Sequence, residues 1–572
     1  MRKPISCRLR AAFAALTLLT VGLVHAQVVI APSTPQIGSS NPVTAEPPVP
    51  RPNTPPCVVQ LFTNLAFADF TPKVFNYTPP SSCPGPWAKV VFTADFTVQS
   101  GRQFDRTASF YLGHANIYYG TTAEPRAALS PSWHVERDVT DLSAIFKSPQ
   151  TGEANLGNFV GVSGGVDFNS IIFANAALEF FPASFQDPAP RTADIVVPVN
   201  GNGGDAGTLN TSTDQVTQTL NLPTNVERVF LDVISQSQIN DEFWYFCVPN
   251  NETTNLESCG NTAFRETEIS IDGKPAGVAP VYPWIFTGGI DPFLWEPIPG
   301  VQTLDFRPYR VDLTPFAGLL SDGNQHTVAV SVFNANQFFL ATANLLVFTD
   351  HGTQRTTGGI LVNTLSAAPT PSIQNNINFN SSTGQFTGSI DTSSNRNFII
   401  RGFLNTSHGR VETTVQETVN FTNNQQFDVN PSTSNPDDQN LQQNTTVSSR
   451  STTTGGGPFE FSHDQNFTYP LTIDFSFIVN SDGSLAQTTK VDQQFLLNTK
   501  DHTNGAAVFT STENNHVQSQ DTEALSAAGN LTITPSSSQS FLFKDSKGTC
   551  FSRTLTSAQN VLTGVTDGQG CK

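Results

Sequence analysis

Short runs of apolar residues, many alternating with polar ones and broken by proline, glycine and asparagine, recur along most of this chain. Successive side chains of a strand point to opposite faces, so such runs predict β-strands with at least one buried side. In a first block they fall at 58–62, 89–96, 107–112 and 171–181, and in a second at 228–234 and 327–332. Longer, cleaner alternation follows at 410–421 and 471–479. Helical windows are scarce; the best, 142–147, covers little more than one turn. A proline-containing stretch at 182–198 and a Gly/Asn-rich run at 200–207 separate the first two blocks, and from about residue 368 the composition shifts toward Ser, Thr, Asn and Gln. The pattern predicts an all-β protein: jelly-roll sandwiches over 56–200 and 208–367, then a C-terminal antiparallel β domain over 368–572.

The N-terminal end reads as a secretory leader. Arg2, Lys3, Arg8 and Arg10 precede an apolar run over 11–24, and Val24-His25-Ala26 places small residues before a cut at Gln27. Residues 27–55 hold many prolines and no aromatics, the texture of a flexible linker. No later run has transmembrane length, so a secreted or periplasmic protein without a membrane partner is expected. The chain carries 29 basic against 47 acidic residues. That balance repels phosphate backbones and argues against nucleic acid as a partner. Beyond Cys7 in the leader, six cysteines form three local couples, Cys57 with Cys83, Cys247 with Cys259 and Cys550 with Cys571. An oxidising compartment makes disulfides the expectation for each couple. Neither the cysteines nor the nine scattered histidines have metal-ligand spacing, so no metal or cofactor is expected.

Phosphate-loop, dinucleotide, nucleophile-elbow and His-Glu-x-x-His motifs are absent, which leaves carboxylates for acid–base chemistry. Asp105-Arg106 stands at the mouth of the 107–112 strand; Asp241-Glu242 precedes Phe243-Trp244-Tyr245; Asn261 and Glu266 flank Phe264-Arg265. Each has a structural alternative: a strand-end ion pair, a turn into a core strand, or a salt bridge. Trp284 and Trp295 serve as well for core as for platforms, and Glu124, Pro125 and Arg126 could simply tie down a loop.

Taken together, residues 101–106, 122–126, 241–245, 264–266 and 286–290 resemble the signature blocks of the peptide-N-glycosidase A family, in the family's order. The resemblance covers roughly 57–350. A more distant likeness is to the peptide-N-glycosidase F type, built of two adjacent eight-stranded jelly rolls. Phe104-Asp105-Arg106 is similar to its Trp-Asp-Arg segment around the catalytic aspartate, Leu222-Pro223-Thr224-Asn225 recurs, and residues 308–313 give Arg310 as a second active-site arginine. Matching on Phe264-Arg265 puts Asn261 where that relative has a glutamate, whereas Glu242-Phe243-Trp244 offers another match.

The resemblance implies hydrolysis of the amide between N-acetylglucosamine and asparagine in an N-linked glycopeptide or glycoprotein, leaving aspartate. Asp105 would activate water, Arg106 and Arg310 would hold it and polarise the substrate, and Glu242 or Glu266 would assist. Asp241, Trp244, Asn261, Trp284, Trp295, Glu124 and Arg126 are the implied substrate contacts. A monomer with one cleft between the jelly rolls is expected. The competing readings are a non-catalytic carbohydrate-binding or adhesion protein and a glycoside hydrolase.

Overall fold

The computed structural model of the chain describes residues 35–200, 204–430, 437–455 and 460–571. The leader and the first residues of the linker lie outside these.

In the first block two four-stranded antiparallel sheets face each other. One runs Cys57–Phe67, Ile172–Pro182, Trp87–Val98, Ser132–Asp138; the other runs Lys73–Tyr77, Gln150–Leu156, Thr107–Leu112, Ala115–Thr121. Alternation along Trp87–Val98 turns Phe92 and Phe96 inward, where their rings meet Phe110 of the opposite sheet at 5.9 and 6.0 Å between centroids. Large aromatic pairs of this kind fill the space between packed sheets.

The second sandwich sets Tyr309–Asp312, Val226–Ser237 and Asn336–Thr349 against a sheet of Lys274–Pro280, Glu266–Ile271, His326–Phe333 and Val216–Leu220. Ile195–Val199 and Gly207–Thr211 both pair with Asn336–Thr349, the first along its C-terminal half and the second along its N-terminal half. One edge position is therefore shared by two short strands, which gives nine strands where eight are expected.

The last third is a single antiparallel sheet from Thr357–Asn363 to Val561–Asp567. Thr357–Asn363 pairs with Gln385–Thr406 and so belongs to this sheet, although the sequence pattern assigns it to the second block. Gln385–Thr406 has 22 residues, roughly 70 Å of strand at the usual rise. The sheet has little separate core: Phe421, Leu441, Tyr469, Ile473 and Val491 join the core of the second sandwich. Its composition also has a use. Buried amides on the inner face reach into the loops of the second sandwich, where Asn423 Nδ2 donates to the Tyr245 carbonyl (2.8 Å) and Gln493 Nε2 to that of Pro283 (2.7 Å). Buried polar groups of this kind need partners, and the loops supply them.

The proline-rich segment departs from the flexible linker expected. Residues 35–55 lie extended across all three parts of the fold. Gly38 N–H donates to the Leu562 carbonyl (2.7 Å), and Ala45 N–H to Gln539 Oε1 (2.6 Å). Glu46 pairs with Arg307 at 2.5 Å, and Arg51 with Glu136 and Glu179, both at 2.9 Å. Proline presets the extended backbone, and carbonyls and side chains of all three parts take several of its remaining donors, so it folds as a strap. The three local disulfides are formed, with Cα–Cα separations of 6.1, 4.5 and 5.8 Å.

Candidate active site

Asp105 sits in the loop that enters the strand Thr107–Leu112, at the edge of the first sandwich facing the second. The loop is fixed at its start by Gly101, whose φ of +142° suits glycine and whose added Cβ would lie 2.3 Å from Asn169 Oδ1. The Asp105 main-chain N–H donates to Glu124 Oε2 (3.0 Å), and its carboxylate Oδ2 accepts from the main-chain N–H of Gly288 (2.9 Å) in the second sandwich. A Cβ on Gly288 would stand 2.1 Å from Glu124 Oε2 and 2.9 Å from Asp105 Cγ. Only a residue without a side chain lets the backbone approach both acids this closely.

Glu242 completes the group. It follows the turn Ile239–Asp241, and the ring of its neighbour Phe243 lies 3.3 Å from where a Gly289 Cβ would be. Burial pushes its carboxyl up to about 7, reinforced by the negative charges of Asp105 and then Glu124. Glu124 is likewise pushed to about 7, first by burial and then by Asp105. Asp105 is raised by burial, while the Gly288 N–H and the Arg106 charge favour its ionised form. Asp105 and Glu124 of one sandwich thus meet at Gly288, with Glu242 of the other in electrostatic reach of both.

Beside them, the Arg106 guanidinium lies 4.1 Å over the Phe104 ring, and its Nη1 donates to Gln103 Oε1 (3.3 Å). Its Nε and Nη2 are buried and have no hydrogen-bond partner among the described residues. Burial lowers this group to about 10, against the opposing pull of Glu124 and Asp105. The cation is retained, with two buried donors that make no hydrogen bond to the described residues.

Three contacts lock the two halves together at this point. Thr287 Oγ1 donates to the Thr122 carbonyl (2.6 Å), Arg126 N–H donates to Glu296 Oε1 (2.9 Å), and the Arg126 side chain pairs with Glu296 at 3.4 Å. Trp295 Nε1 donates to the Gly289 carbonyl (2.9 Å) and pins the glycine loop from behind.

The other residues singled out from the sequence are engaged with partners of their own. Arg310 faces Asp232 across paired strands, donating to both its oxygens and to Asp141 Oδ2, all at 2.7 Å. Both its neighbours are acids of its own tie between the sandwiches. Glu266 is buried 3.5 Å from Arg396 of the C-terminal sheet, with Glu268 and Glu417 as its electrostatic neighbours. Asp241 forms a buried ion pair with Arg265 (2.7 Å) and accepts from Asn336 N–H (2.5 Å), so it fixes the turn that presents Glu242. Asn261 adopts φ +66° in a turn whose N–H donates to Asn250 Oδ1 (2.8 Å). Trp244, Trp284 and Trp295 are buried, packed respectively against Phe421, Phe306 and the glycine loop, and Trp284 also borders a cavity with Tyr282 and Tyr309. What sequence reasoning missed is the donor role of Gly288 and the placement of Glu124 against Asp105. The signal for the first was the 286–290 signature block, a glycine pair between two tryptophans, which assigns neither glycine a role. Among the described residues no three His, Cys, Asp or Glu side chains are grouped to hold a metal ion.

Comparison with known proteins adds a family relation. A family model described as "Peptide N-acetyl-beta-D-glucosaminyl asparaginase amidase A" matches residues 46–366. A relative from Prunus dulcis, peptide-N4-(N-acetyl-beta-glucosaminyl)asparagine amidase A, is 34% identical over 333 residues, covering 54% of this chain and 57% of that protein. The chain thus spans little more than half the length of that relative. Among solved structures, PNGF-II is 14% identical with a TM-score of 0.35, covering 52% of this chain and 65% of its own. PNGase F from Flavobacterium meningosepticum, described as a glycosylasparaginase, is 12% identical with a TM-score of 0.35, covering 51% of this chain and 96% of its own.

Proposed function

The chain belongs to the peptide N-acetyl-beta-D-glucosaminyl asparaginase amidase A family, and from that premise we propose that it hydrolyses the amide joining N-acetylglucosamine to asparagine in N-linked glycopeptides or glycoproteins. The products are the glycan as a glycosylamine and a peptide with aspartate in place of asparagine. The observation that carries this reading is the meeting of Asp105 and Glu124 at Gly288, with Glu242 in electrostatic reach, beside an arginine with two unused buried donors.

An amide carbonyl is a poor electrophile, so a catalyst must activate water and stabilise charge on the oxygen. Asp105, kept ionisable by the Gly288 N–H and Arg106, takes the proton from the attacking water. The free Nε and Nη2 of Arg106 bind the carbonyl oxygen as it becomes an oxyanion. Glu124 and Glu242, both pushed to about 7, hold protons at acid pH and donate to the departing glycosylamine nitrogen and to sugar hydroxyls. One chain supplies every group, so a monomer suffices. The leader-like start and three disulfides support action outside the cytoplasm.

The test is glycan release from an N-glycopeptide by wild type and by a folded Asp105→Asn variant. The variant is expected to lose at least about 100-fold in kcat, the lower range for removing a general base. Full activity in that variant, or binding of glycopeptide by wild type without release, contradicts the proposal.

A further inference from the structure

From Phe104, next to Asp105, a chain of aromatic rings leads outward. Phe104 contacts Phe168 at 5.5 Å between centroids, Phe168 contacts Phe159 at 6.1 Å, and Phe159 stacks on Phe70 at 6.5 Å. Phe70 is 67% exposed at the outer end. Phe168 closes the hairpin Gly161–Ser163 and Val166–Phe168, a two-stranded sheet paired with no other described strand. Its turn carries Gly164 and Gly165, both with positive φ, and its tip exposes Val162 at 70% and Val166 at 39%. The base is held firmly: buried Asn158 donates to the carbonyls of Phe67 (2.8 Å) and Ser170 (2.9 Å), and Asn169 Oδ1 accepts from Arg102 N–H (3.0 Å), three residues before Asp105. The hairpin is thus rooted at its base, with valines exposed at its tip and strand edges that pair with no other described strand.

Resting on the amidase reading above, we propose that this hairpin and its aromatic ladder form the subsite for the polypeptide on either side of the glycosylated asparagine, taking it as an added strand with apolar side chains. Extended chains bind open sheet edges through main-chain hydrogen bonds, and alternate side chains then read the two faces. The pairing register puts Val162 with Asp167 on one face and Val166 and Phe168 on the other. An added strand therefore meets an apolar group on each face. Glycan hydroxyls would find few polar side chains here, whereas the ladder runs without a break from the edge to the residue beside Asp105.

Two synthetic N-glycopeptides sharing one glycan test this, one with Val and Phe flanking the asparagine and one with Ser and Asp. The V162S/V166S variant, altered only on the exposed tip, is expected to raise KM on the apolar-flanked substrate at least about tenfold with kcat kept, as losing burial of even one of the two aliphatic contacts predicts. On the polar-flanked substrate KM stays near wild type. An equal rise on both substrates, which would place the shared glycan on the hairpin, or no change on either, overturns the proposal. Binding of the unglycosylated Val/Phe peptide gives a readout independent of turnover. Should wild type release no glycan yet bind that peptide, with binding lost in V162S/V166S, the amidase reading fails and the subsite stands.

Discussion

Gly288 shows what a single missing side chain does for this site. Its backbone reaches Asp105 because no Cβ blocks it, and Gly288→Ala would press a methyl against Glu124 Oε2, 2.1 Å from where the Cβ must lie. The variant is expected to fold and to lose most turnover, measured as kcat on a glycopeptide beside an unchanged thermal transition. The acid pair makes a second prediction at this scale. Glu124 and Glu242 are raised to about 7, so each keeps its proton below that pH and loses it as pH rises through it. Activity that needs the protonated forms falls across neutrality. In Glu242→Gln one of these groups can no longer ionise, so the alkaline limb of the kcat/KM profile should move upward or flatten, whereas an unchanged limb assigns it elsewhere. Asp105 and Arg106 stand out in the sequence as opposite charges at a strand mouth, a pattern that is usually structural, and only the family resemblance gives them a catalytic role. The place of Arg310 is not legible there: its partners, Asp232 across the sheet and Asp141 from the other sandwich, are brought to it only by tertiary register. The same holds for Trp244, Trp284 and Trp295, since a tryptophan at a sugar site and one in a core have the same sequence neighbours.

Among the elements, the turn Ile239–Asp241 presents Glu242, and a buried ion pair holds it. Asp241 and Arg265 are both fully buried, so Asp241→Ala leaves a guanidinium without its counter-charge. The expected loss is about 3–5 kcal/mol of stability, seen as a lowered denaturation midpoint, together with reduced kcat as Glu242 loses its support. Strand alternation made the sheets readable, and the local cysteine couples followed from spacing. The strap over residues 35–55 escaped that reading. Its prolines suit a free linker and a docked extended segment equally, and only its partners, Gln539, Glu136 and Arg307 among them, distinguish the two.

Across the whole molecule, the C-terminal sheet meets the second sandwich over a seam rich in buried acids. Glu266 and Glu417 are each pushed to about 8, chiefly by burial; Arg396 opposes the shift at Glu266 and Ser449 at Glu417, while Glu268 and Tyr309 complete the surroundings. A carboxyl whose folded value exceeds its ordinary 4.5 binds its proton more tightly in the folded state. Its stabilising effect is then complete below 4.5 and is lost as pH rises toward 8. Thermal midpoints should decline over that range, and Glu266→Gln should flatten the decline; a midpoint rising with pH there would refute this. The third block is recognisable from the sequence as antiparallel strands exposed on one face, but the pattern does not show that Asn423 and Gln493 are buried under loops of the second sandwich, since an amide on a wet face and one beneath a docked loop have the same neighbours in sequence.

At the centre of the account is water attack on the asparagine side-chain carbonyl at a site shared by two sandwiches of one chain. The most direct measurement is mass spectrometry of an N-glycopeptide digested by this protein in heavy-oxygen water. The account predicts released intact glycan and a peptide whose former asparagine is aspartate carrying one heavy oxygen. A peptide that keeps its asparagine, bare or still bearing N-acetylglucosamine, would contradict it.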